Sequence, residues 1–414
     1  MRTVAICDAF STGAKLAPLF KELGFITIHL RSSKDPPANF LATFGQDDFD
    51  VDLGYGGKSI EGVAAVLGKH NPDFIIAGTE SGVELAESLS HHLSTPSNTP
   101  GGSAVRRNKY AMMEAVRSAG LEAPRQVRIV DMAGLRNFNA DGFEMPVVVK
   151  PINSAGGDGF KLCHHADEIS EHAACLLGRM NAIGEVNTGV IIQDYLDGQQ
   201  YFVNCTSLGG RHFVSEVWRD ERRPGHDGSI VCWKEELLAL EGKPQSDLIH
   251  YTHAVLDALG IREGASHTEL MLTREGPVLI ESAARMQGTI DESAVRRATG
   301  VDLVSLNVLR YAQPDEFVAR MQKPIEKQMC LWCISLVSHQ EGCIRDVQGL
   351  QRVRSLRSFH SAIHLPQVGS FMSKTHDLFS SPGIIYLVGD EATVGGDHEI
   401  IRQMERNGDI FNVC

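Results

Sequence analysis

Residues 267–285, HTELMLTREGPVLIESAAR, contain two apolar stretches joined by a turn, a pattern that predicts a β-hairpin. Side chains alternate between the faces of a strand, so His267 and Glu269 share one face, as do Glu281 and Arg285. If Glu269 lies opposite Glu281, two carboxylates come together, which is costly unless a cation lies between them. Such hard oxygen ligands suit Mg²⁺ that also binds phosphates. On opposite edges of a solvated hairpin the same carboxylates would be harmless, and the stretch alone leaves both interpretations open.

A second informative stretch, residues 146–160, is PVVVKPINSAGGDGF, an apolar strand that ends in Lys150 and runs into a glycine-rich turn. Glycines let backbone N–H groups approach phosphate oxygens closely, and the lysine adds a positive charge. The spacing matches neither a Walker A loop nor a dinucleotide fingerprint. A glycine-rich turn after a strand is often only a hairpin, but a lysine in an apolar strand otherwise has no partner. The stretch therefore favours a phosphate site.

Two further segments carry weaker signals. Residues 106–109, Arg-Arg-Asn-Lys, begin a predicted helix that extends to Ala119. Cations there oppose the helix dipole, so a bound anion would remove a conflict, although solvated surface charge is an equal alternative. In residues 190–200, VIIQDYLDGQQ, an apolar strand runs into a polar hinge. The exposed edge of that strand could pair with adenine, or the segment could be simply a strand and a turn.

The first hundred residues alternate between short apolar strands and amphipathic helices, which predicts a parallel sheet with helices on both faces. The predicted strands are Thr3–Cys7, Phe25–Leu30 and Phe74–Ala77, and the predicted helices are Gly13–Leu23, Lys58–Leu67 and Val83–Leu93. Gly78-Thr-Glu-Ser-Gly82 follows a strand and opens a helix, where open α/β sheets bind ligands. A Pro/Gly/Ser-rich connector, residues 95–102, marks the first domain boundary. The polar segment Ser215–Gly228 predicts a loop.

Composition excludes several classes of protein. The chain has 414 residues, enough for two or three domains, and a net charge of −13, which argues against a nucleic-acid partner. We find neither a signal peptide nor an apolar run that could span a membrane, so a cytoplasmic enzyme is expected. Cys330 and Cys333 have the spacing of a metal or redox pair, but no second pair accompanies them, and core packing is favoured.

Taken in order, these pieces resemble the ATP-grasp superfamily, and they are similar in particular to the L-amino acid ligases that form dipeptides. The resemblance covers nearly the whole chain. It is carried by IIAGTESGVELAESL (75–89), VVVKPINSAGGDG (147–159), IIQDYLDGQQYFVN (191–204) and HTELMLTREGPVLIESAARMQG (267–288). It implies an α/β protein: an N-terminal parallel-sheet, Rossmann-like domain (1–105), then an ATP-grasp fold of two α+β subdomains (106–312, with the lid at about 120–195), and a C-terminal β-rich extension (313–414) that completes the large lobe.

The resemblance also implies a reaction. ATP would lie between two subdomains and phosphorylate a carboxylate, and an amine would attack the acyl phosphate to give a dipeptide, ADP and phosphate. The implied partners are amino-acid substrates, and a homodimer is compatible with the sequence. By position, the residues implied to bind the phosphates are Lys109, Lys150 and the glycine loop (Ser154, Gly156, Gly157, Gly159). Those implied to bind the adenosine part are Gln193, Asp194, Tyr195, Leu196 and Gln200. Glu269 and Glu281 would ligate Mg²⁺, or alternatively Mn²⁺. The implied catalytic residues are Lys150, His267 and Arg285, and the implied substrate-binding residues are Arg285, Arg222 and Arg223.

This chain departs from the family pattern at two positions. Gln200 stands where a ribose-binding Glu is common, and Ala283 stands where the metal motif often has Asn. Other functions compatible with the fold are an ATP-grasp ligase or carboxylase with a different acceptor and, less favoured, a non-catalytic nucleotide-binding protein. The latter would be expected to lack Lys150, Glu269 or Glu281, and all three are present. A nicotinamide oxidoreductase is disfavoured because the first strand is not followed by the glycine fingerprint.

Overall fold

The computed structural model describes residues 1–57, 59–225 and 229–414, and the first hundred residues form a parallel sheet. Its strands are β1 (Thr3–Cys7), β2 (Ile26–Arg31), β3 (Val51–Tyr55) and β4 (Phe74–Ala77), in the order β3-β2-β1-β4, and its helices are α1 (Leu16–Glu22), α2 (Ala38–Leu41), α3 (Ile60–Leu67) and α4 (Val83–His92). Every residue of β1 is buried, as expected for a parallel strand with both faces covered. The sequence did not predict β3, because Asp52 and Gly54 interrupt its apolar pattern. Lys58, the first residue of a predicted helix, lies outside the described residues.

The predicted helix Arg106–Ala119 is wrong at its start. The structure has two helices, α5 (Ser103–Arg107) and α6 (Lys109–Ser118), separated by Asn108. The Asn108 side chain accepts a hydrogen bond from the Ala111 N–H and caps α6. Arg106 and Arg107 therefore lie in the last turn of α5, where cations are favourable. Lys109, the first residue of α6, is the one cation of this segment that still lies at a helix N-terminus.

Residues 126–194 form a small antiparallel sheet with its own core. The elements are β5 (Gln126–Ile129), α7 (Met132–Asn137), β6 (Val147–Pro151), β7 (Lys161–Cys163), α8 (Ala166–Leu176) and β8 (Val190–Asp194), with the strand order β5-β8-β6-β7. Val147, Val149 and Ile192 pack against α8. The prediction that Val190–Asp194 offers an exposed edge is wrong, because β8 pairs on both sides. Backbone outside the sheet begins at Tyr195, in the hinge of residues 195–198.

The hinge leads into a large antiparallel sheet. The remaining strands are β9 (Gln199–Leu208), β10 (Arg211–Pro224), β11 (Ile230–Leu237), β12 (Gly264–Leu272), β13 (Pro277–Ala283), β14 (Cys330–Ser335), β15 (Gly342–Asp346), β16 (Phe359–Ile363), β17 (Phe371–Met372), β18 (Ile384–Gly389) and β19 (Asn412–Val413). The large sheet has the order β13-β12-β9-β10-β11-β14-β18-β16, and β17-β15-β19 form a separate small sheet. The remaining helices are α9 (Gln245–Ala258), α10 (Glu292–Thr299), α11 (Leu303–Ala312), α12 (Pro314–Met321), α13 (Gly349–Arg354) and α14 (Glu391–Asn407).

Helices cover both faces of the large sheet. Val203 on β9 packs with Met112 of α6 and Leu256 of α9 on one face. Phe202, the preceding residue, packs with Ala294 and Val295 of α10 on the other face. A sheet covered on both faces explains the long apolar runs in these strands.

The predicted loop Ser215–Gly228 is also wrong. Residues 215–224 belong to β10, while 226–228 lie outside the described residues. The segment is highly charged because charges two residues apart pair on each face of the strand. Arg222 Nε donates to Asp220 Oδ2 at 2.7 Å, and Arg223 Nη2 donates to Glu221 Oε1 at 2.7 Å. A strand with polar partners on both faces has the composition of a loop.

Cys330 and Cys333 pack in the core, as the sequence predicted. Residues three apart on a strand point to opposite faces. Cys330 accordingly packs with Ile385 and Val394, whereas Cys333 packs with Trp218 on the other face. The two thiols therefore cannot bind one metal ion together. Within the described ranges, no helix is both long and apolar enough to cross a bilayer.

Candidate active site

The predicted pairing of Glu269 with Glu281 is confirmed by the register of β12 and β13, in which the two residues are direct cross-strand partners. Lys109, the first residue of α6, lies beside them. Its Nζ donates to Glu281 Oε1 at 2.8 Å and to the Ser154 carbonyl at 2.5 Å. The two carboxylates therefore share a site with a cation, as their juxtaposition requires.

Glu269 accepts polar contacts from three directions. Gln200 Nε2 donates to Glu269 Oε2 at 2.9 Å, His267 Nε2 lies 3.5 Å from Oε1, and Arg222 Nη2 lies 3.9 Å from Oε2. Burial alone would raise the pKa of Glu269, but the His267 hydrogen bond and the charges of Arg222 and Lys109 lower it to about 2. Glu269 is therefore an anion at neutral pH and suits a metal ion.

His267 is oriented by neighbouring amide groups. Its Nδ1 donates to Asn204 Oδ1 at 2.8 Å, and Asn204 Nδ2 donates in turn to Glu216 and Gln287. This arrangement turns Nε2 towards Glu269. Asn204, His267 and Ala283 are consecutive partners across three strands. An amide thus lies in the same row as Ala283, but its oxygen is already taken by His267. Sequence reasoning missed Asn204.

Lys150 lies at the buried end of β6 and has no hydrogen-bond or ion-pair partner among the described residues. Burial and the neighbouring Lys109 lower its pKa to about 8, although Glu281 and Glu269 partly oppose the shift. A buried amine without a partner is costly unless an anion binds it. This environment supports the prediction that Lys150 contacts phosphate.

The glycine loop, Ser154–Gly159, extends over the same site. Gly156, Gly157 and Gly159 have φ values of 67°, 81° and 69°, a left-handed region that other residues adopt at a cost. The Leu378 N–H donates to the Gly156 carbonyl at 3.4 Å, and a Cβ on Gly156 would lie 2.7 Å from the Phe379 ring. Ser154 Oγ donates to Asp158 inside the loop. The loop therefore packs on the C-terminal part of the chain.

The predicted adenine-binding residues lie at the hinge, about the point where the two sheets join. Gln193 is buried, and its Nε2 has no partner in the described part of the chain. Asp194 pairs with Arg125 at 3.0 Å, and Tyr195 is 38% exposed. The structure keeps these residues and Leu196 together, whereas the amide of Gln200 points to Glu269 instead.

Arg222 and Arg223 do not act as a pair, because they lie on opposite faces of β10. Arg222 faces Asp220 and Glu269, whereas the Arg223 guanidinium lies over the Trp233 ring, 4.2 Å from its centroid. The structure therefore places Arg222, but not Arg223, beside Glu269.

Arg285 follows β13, and its Nε donates to Glu80 Oε2 at 2.8 Å. Glu80 lies in the turn Gly78–Gly82 after β4, at the carboxyl edge of the parallel sheet. Sequence reasoning singled out this turn as a ligand position but did not name its glutamate. The Arg285 contact brings the N-terminal domain to the edge of the site.

A second acidic group was missed. Asp220, Cys232 and Glu235 present ligand atoms that lie within 4.8 Å of one another. Asp220 and Glu235 are direct cross-strand partners, and burial, followed by the charge of Asp220, raises the pKa of Glu235 to about 8. Such a pair favours a positively charged neighbour. The wrong loop prediction for Ser215–Gly228 concealed it.

A small sheet that carries Lys150, hinged to a large sheet that carries paired glutamates with Lys109 beside them, defines the ATP-grasp class of enzymes. A family model for the ATP-grasp domain matches residues 143–292. Dapdiamide A synthase from Enterobacter agglomerans is 30% identical over 395 residues, which are 94% of this chain and 92% of that protein.

Solved structures show the same architecture. An L-amino acid ligase from Bacillus licheniformis has a TM-score of 0.76 at 16% identity, over 100% of this chain and 98% of that one. The ADP complex of an N5-carboxyaminoimidazole ribonucleotide synthetase has a TM-score of 0.68 at 14% identity, over 98% of each chain. The chain belongs to the ATP-grasp superfamily, close to its amino acid ligases, and is an ATP-dependent carboxylate–amine ligase of that family.

Proposed function

We propose that this enzyme couples two amino acids into a dipeptide, with release of ADP and phosphate. The observation that carries this proposal is the direct opposition of Glu269 and Glu281, with Lys109 and the unpartnered Lys150 beside them. The similarity to dapdiamide A synthase and to an L-amino acid ligase supports an amide product.

ATP and Mg²⁺ fit the side chains that are present. Lys109, Lys150 and the N–H groups of the glycine loop would hold the phosphates, and hinge residues 193–196 would hold adenine. Glu269 and Glu281 would ligate Mg²⁺, or alternatively Mn²⁺, because two anionic oxygens on adjacent strands form a hard donor set. When bound, the metal ion neutralises charge on the β- and γ-phosphates.

The proposed reaction has two steps. A carboxylate oxygen of the first amino acid attacks the γ-phosphorus, which forms an acyl phosphate and releases ADP. The neutral amine of the second amino acid attacks the acyl carbon, the amide bond forms, phosphate leaves, and the amine loses a proton to water. Catalysis then consists of positioning and charge neutralisation. Arg285 would hold the carboxylate or the acyl phosphate, and Lys150, His267 and Arg222 would offset the charge that develops.

The cluster of Asp220, Cys232 and Glu235 supports the proposal that the substrates are amino acids. Asp220 is 1% exposed, and Arg222 is the cation that contacts it among the described residues. Glu235, its cross-strand partner, holds a proton near neutral pH unless a cation approaches. An ammonium group of a substrate would supply that cation beside Glu269.

Release of ADP and phosphate against a panel of amino acids, singly and in pairs, tests the proposal. Amino-acid-dependent release, together with a product whose mass equals two amino acids less one water, is the expected result. AMP as the nucleotide product, or a carboxylated product, would show a different ATP-grasp reaction.

A further inference from the structure

Glu80 joins two arginines inside the molecule. Its Oε1 accepts from Arg107 Nη1 at 2.8 Å, and its Oε2 accepts from Arg285 Nε at 2.8 Å. The Glu80 side chain is 8% exposed, and those of Arg107 and Arg285 are 4% and 13% exposed. Each carboxylate oxygen therefore serves a different cation, away from bulk water.

The chain of charges continues into the small sheet. Arg107 Nη2 donates to Glu185 Oε1 at 2.5 Å, and Glu185 lies between α8 and β8. Glu185, Arg107, Glu80 and Arg285 thus alternate in sign over three regions of the chain. Glu185 belongs to the lid, residues 120–195, whereas Glu80 belongs to the N-terminal domain and Arg285 follows β13 of the large sheet.

A neighbouring ion pair shows what a purely structural pair looks like. Arg106 donates through Nε and Nη2 to the two oxygens of Glu87, both at 2.7 Å, and neither residue contacts the candidate site. Glu80, in contrast, accepts from Arg107 with one carboxylate oxygen and from Arg285 with the other. It also binds Arg285 through Nε, and Nη1 of Arg285 donates to the Met286 carbonyl at 3.0 Å. Those two bonds fix the guanidinium plane and leave Nη2 without a partner among the described residues.

We propose that Glu80 is a positioning residue that orients Arg285 for the substrate carboxylate, and that Glu185 makes this orientation depend on lid closure; the inference rests on the proposed function. With the lid closed, Glu185 neutralises Arg107, so Glu80 is left to hold Arg285. With the lid open, Arg107 has lost Glu185 and competes with Arg285 for the Glu80 carboxylate. The electrostatic coupling is strongest among Glu80, Arg107 and Arg285, whose side chains are 8%, 4% and 13% exposed. It is weaker at Glu185, whose side chain is 36% exposed.

Three variants of the full chain test the positioning role. Glu80→Gln should lower kcat/KM for the carboxyl-donating amino acid by about 100-fold, while the KM for ATP stays within about threefold. Glu80→Asp should recover about tenfold of that loss, because the charge is restored. Glu87→Gln removes an equally buried charge pair and is the control: its Tm should fall, but kcat/KM per folded molecule should stay within about threefold. Equal kinetic effects of Glu80→Gln and Glu87→Gln would overturn the positioning role.

Glu185→Gln tests the lid arm and does not depend on turnover. Hydrogen exchange with a non-hydrolysable ATP analogue should show weaker protection of residues 285–291 in Glu185→Gln and in Glu80→Gln than in the parent. Unchanged protection there overturns the inference even if the parent makes dipeptides. A parent that releases no ADP with any amino acid, but shows these protection changes, refutes the dipeptide function and leaves the coupling intact.

Discussion

Lys109 Nζ lies 2.8 Å from Glu281 Oε1, so a lysine holds one of the two carboxylates that would otherwise repel each other. The same ammonium group donates to the Ser154 carbonyl in the glycine loop. Lys109 therefore connects the glycine loop to the large sheet, at the position proposed for phosphates and a metal ion. Mg²⁺ bound as proposed would either use Oε2 of Glu281 or compete with Lys109 for Oε1.

Removal of the charge of Lys150 or of Glu281 should abolish the reaction and spare the fold. Lys150→Ala and Glu281→Gln should each lower amino-acid-dependent release of ADP and phosphate by at least about 1,000-fold, since each removes charge stabilisation from phosphoryl transfer. Far-UV circular dichroism should stay as in the parent. Glu275→Gln, at the exposed turn of the same hairpin, is the matched control and should turn over normally. Parent-like turnover by both site variants would show that the site is misplaced.

ATP affinity should depend on pH through Lys150, whose pKa is lowered to about 8. Below pH 8 the free enzyme carries this charge and attracts phosphates. Above pH 8 the free enzyme loses this proton. Lys150 must then take up a proton when ATP binds, so the Kd for ATP should rise by up to about tenfold per pH unit. Titration of ATP binding between pH 6.5 and 9.5 measures this slope. Lys150→Arg should bind with little change over the same range, and an equally steep slope in that variant would assign the titration to another group.

Alanine substitutions at Gly157 and Gly159 should distinguish the cost of backbone strain from the cost of a steric clash. An added Cβ meets nothing within 4 Å at Gly157, but at Gly159 it would lie 2.9 Å from atoms of Pro151 and Leu176. Both positions have positive φ, so Gly157→Ala should cost about 1–2 kcal/mol of local stability. Gly159→Ala should cost a further 1 kcal/mol or so from overpacking. Hydrogen exchange of residues 152–163 and the KM for ATP should therefore rise more in Gly159→Ala. Equal effects in the two variants would mean that packing around Gly159 relaxes freely.

The adjacent arginines of β10 should differ in importance. Arg222→Ala leaves the buried Asp220 and the half-buried Glu269 without a guanidinium group, and we expect a loss of about 2 kcal/mol, or roughly 30-fold in kcat/KM. Arg223, 51% exposed on the other face, should change kcat/KM by less than about threefold when replaced by alanine. Steady-state kinetics of the two variants decides. A larger effect at Arg223 would show that this arginine reaches the substrate in the working enzyme.

Hydrophobic patterns within short segments correctly predicted individual strands and one hairpin. The apolar run Thr3–Cys7 is a buried strand, and the hairpin at 267–285 pairs Glu269 with Glu281 in the expected register. The family resemblance added the overall architecture. The strand β3 escaped because one glycine and one aspartate outweighed its neighbours in a short segment.

The candidate site was less predictable wherever distant segments meet. Glu80 contacts Arg285 across 205 positions of the sequence, and no spacing rule connects them. Asp220 was missed for a different reason. The charged residues of β10 pair with one another within the strand, so its sequence has the composition of a loop. Tertiary pairing of charges therefore misleads sequence analysis twice, since it conceals strands and also conceals partners.

The large sheet continues from β11 directly into β14, where Glu236 pairs with Trp332. Arg402 of α14 reaches back over this seam and donates to the Trp233 and Ser335 carbonyls. A fragment that stops near residue 312 would leave the backbone N–H and C=O groups of β11 that now face β14 without partners, and strands of other molecules can add to such an open edge. The last hundred residues are thus not an exchangeable module, and chimaeras between relatives should keep β11 and α14 from the same parent.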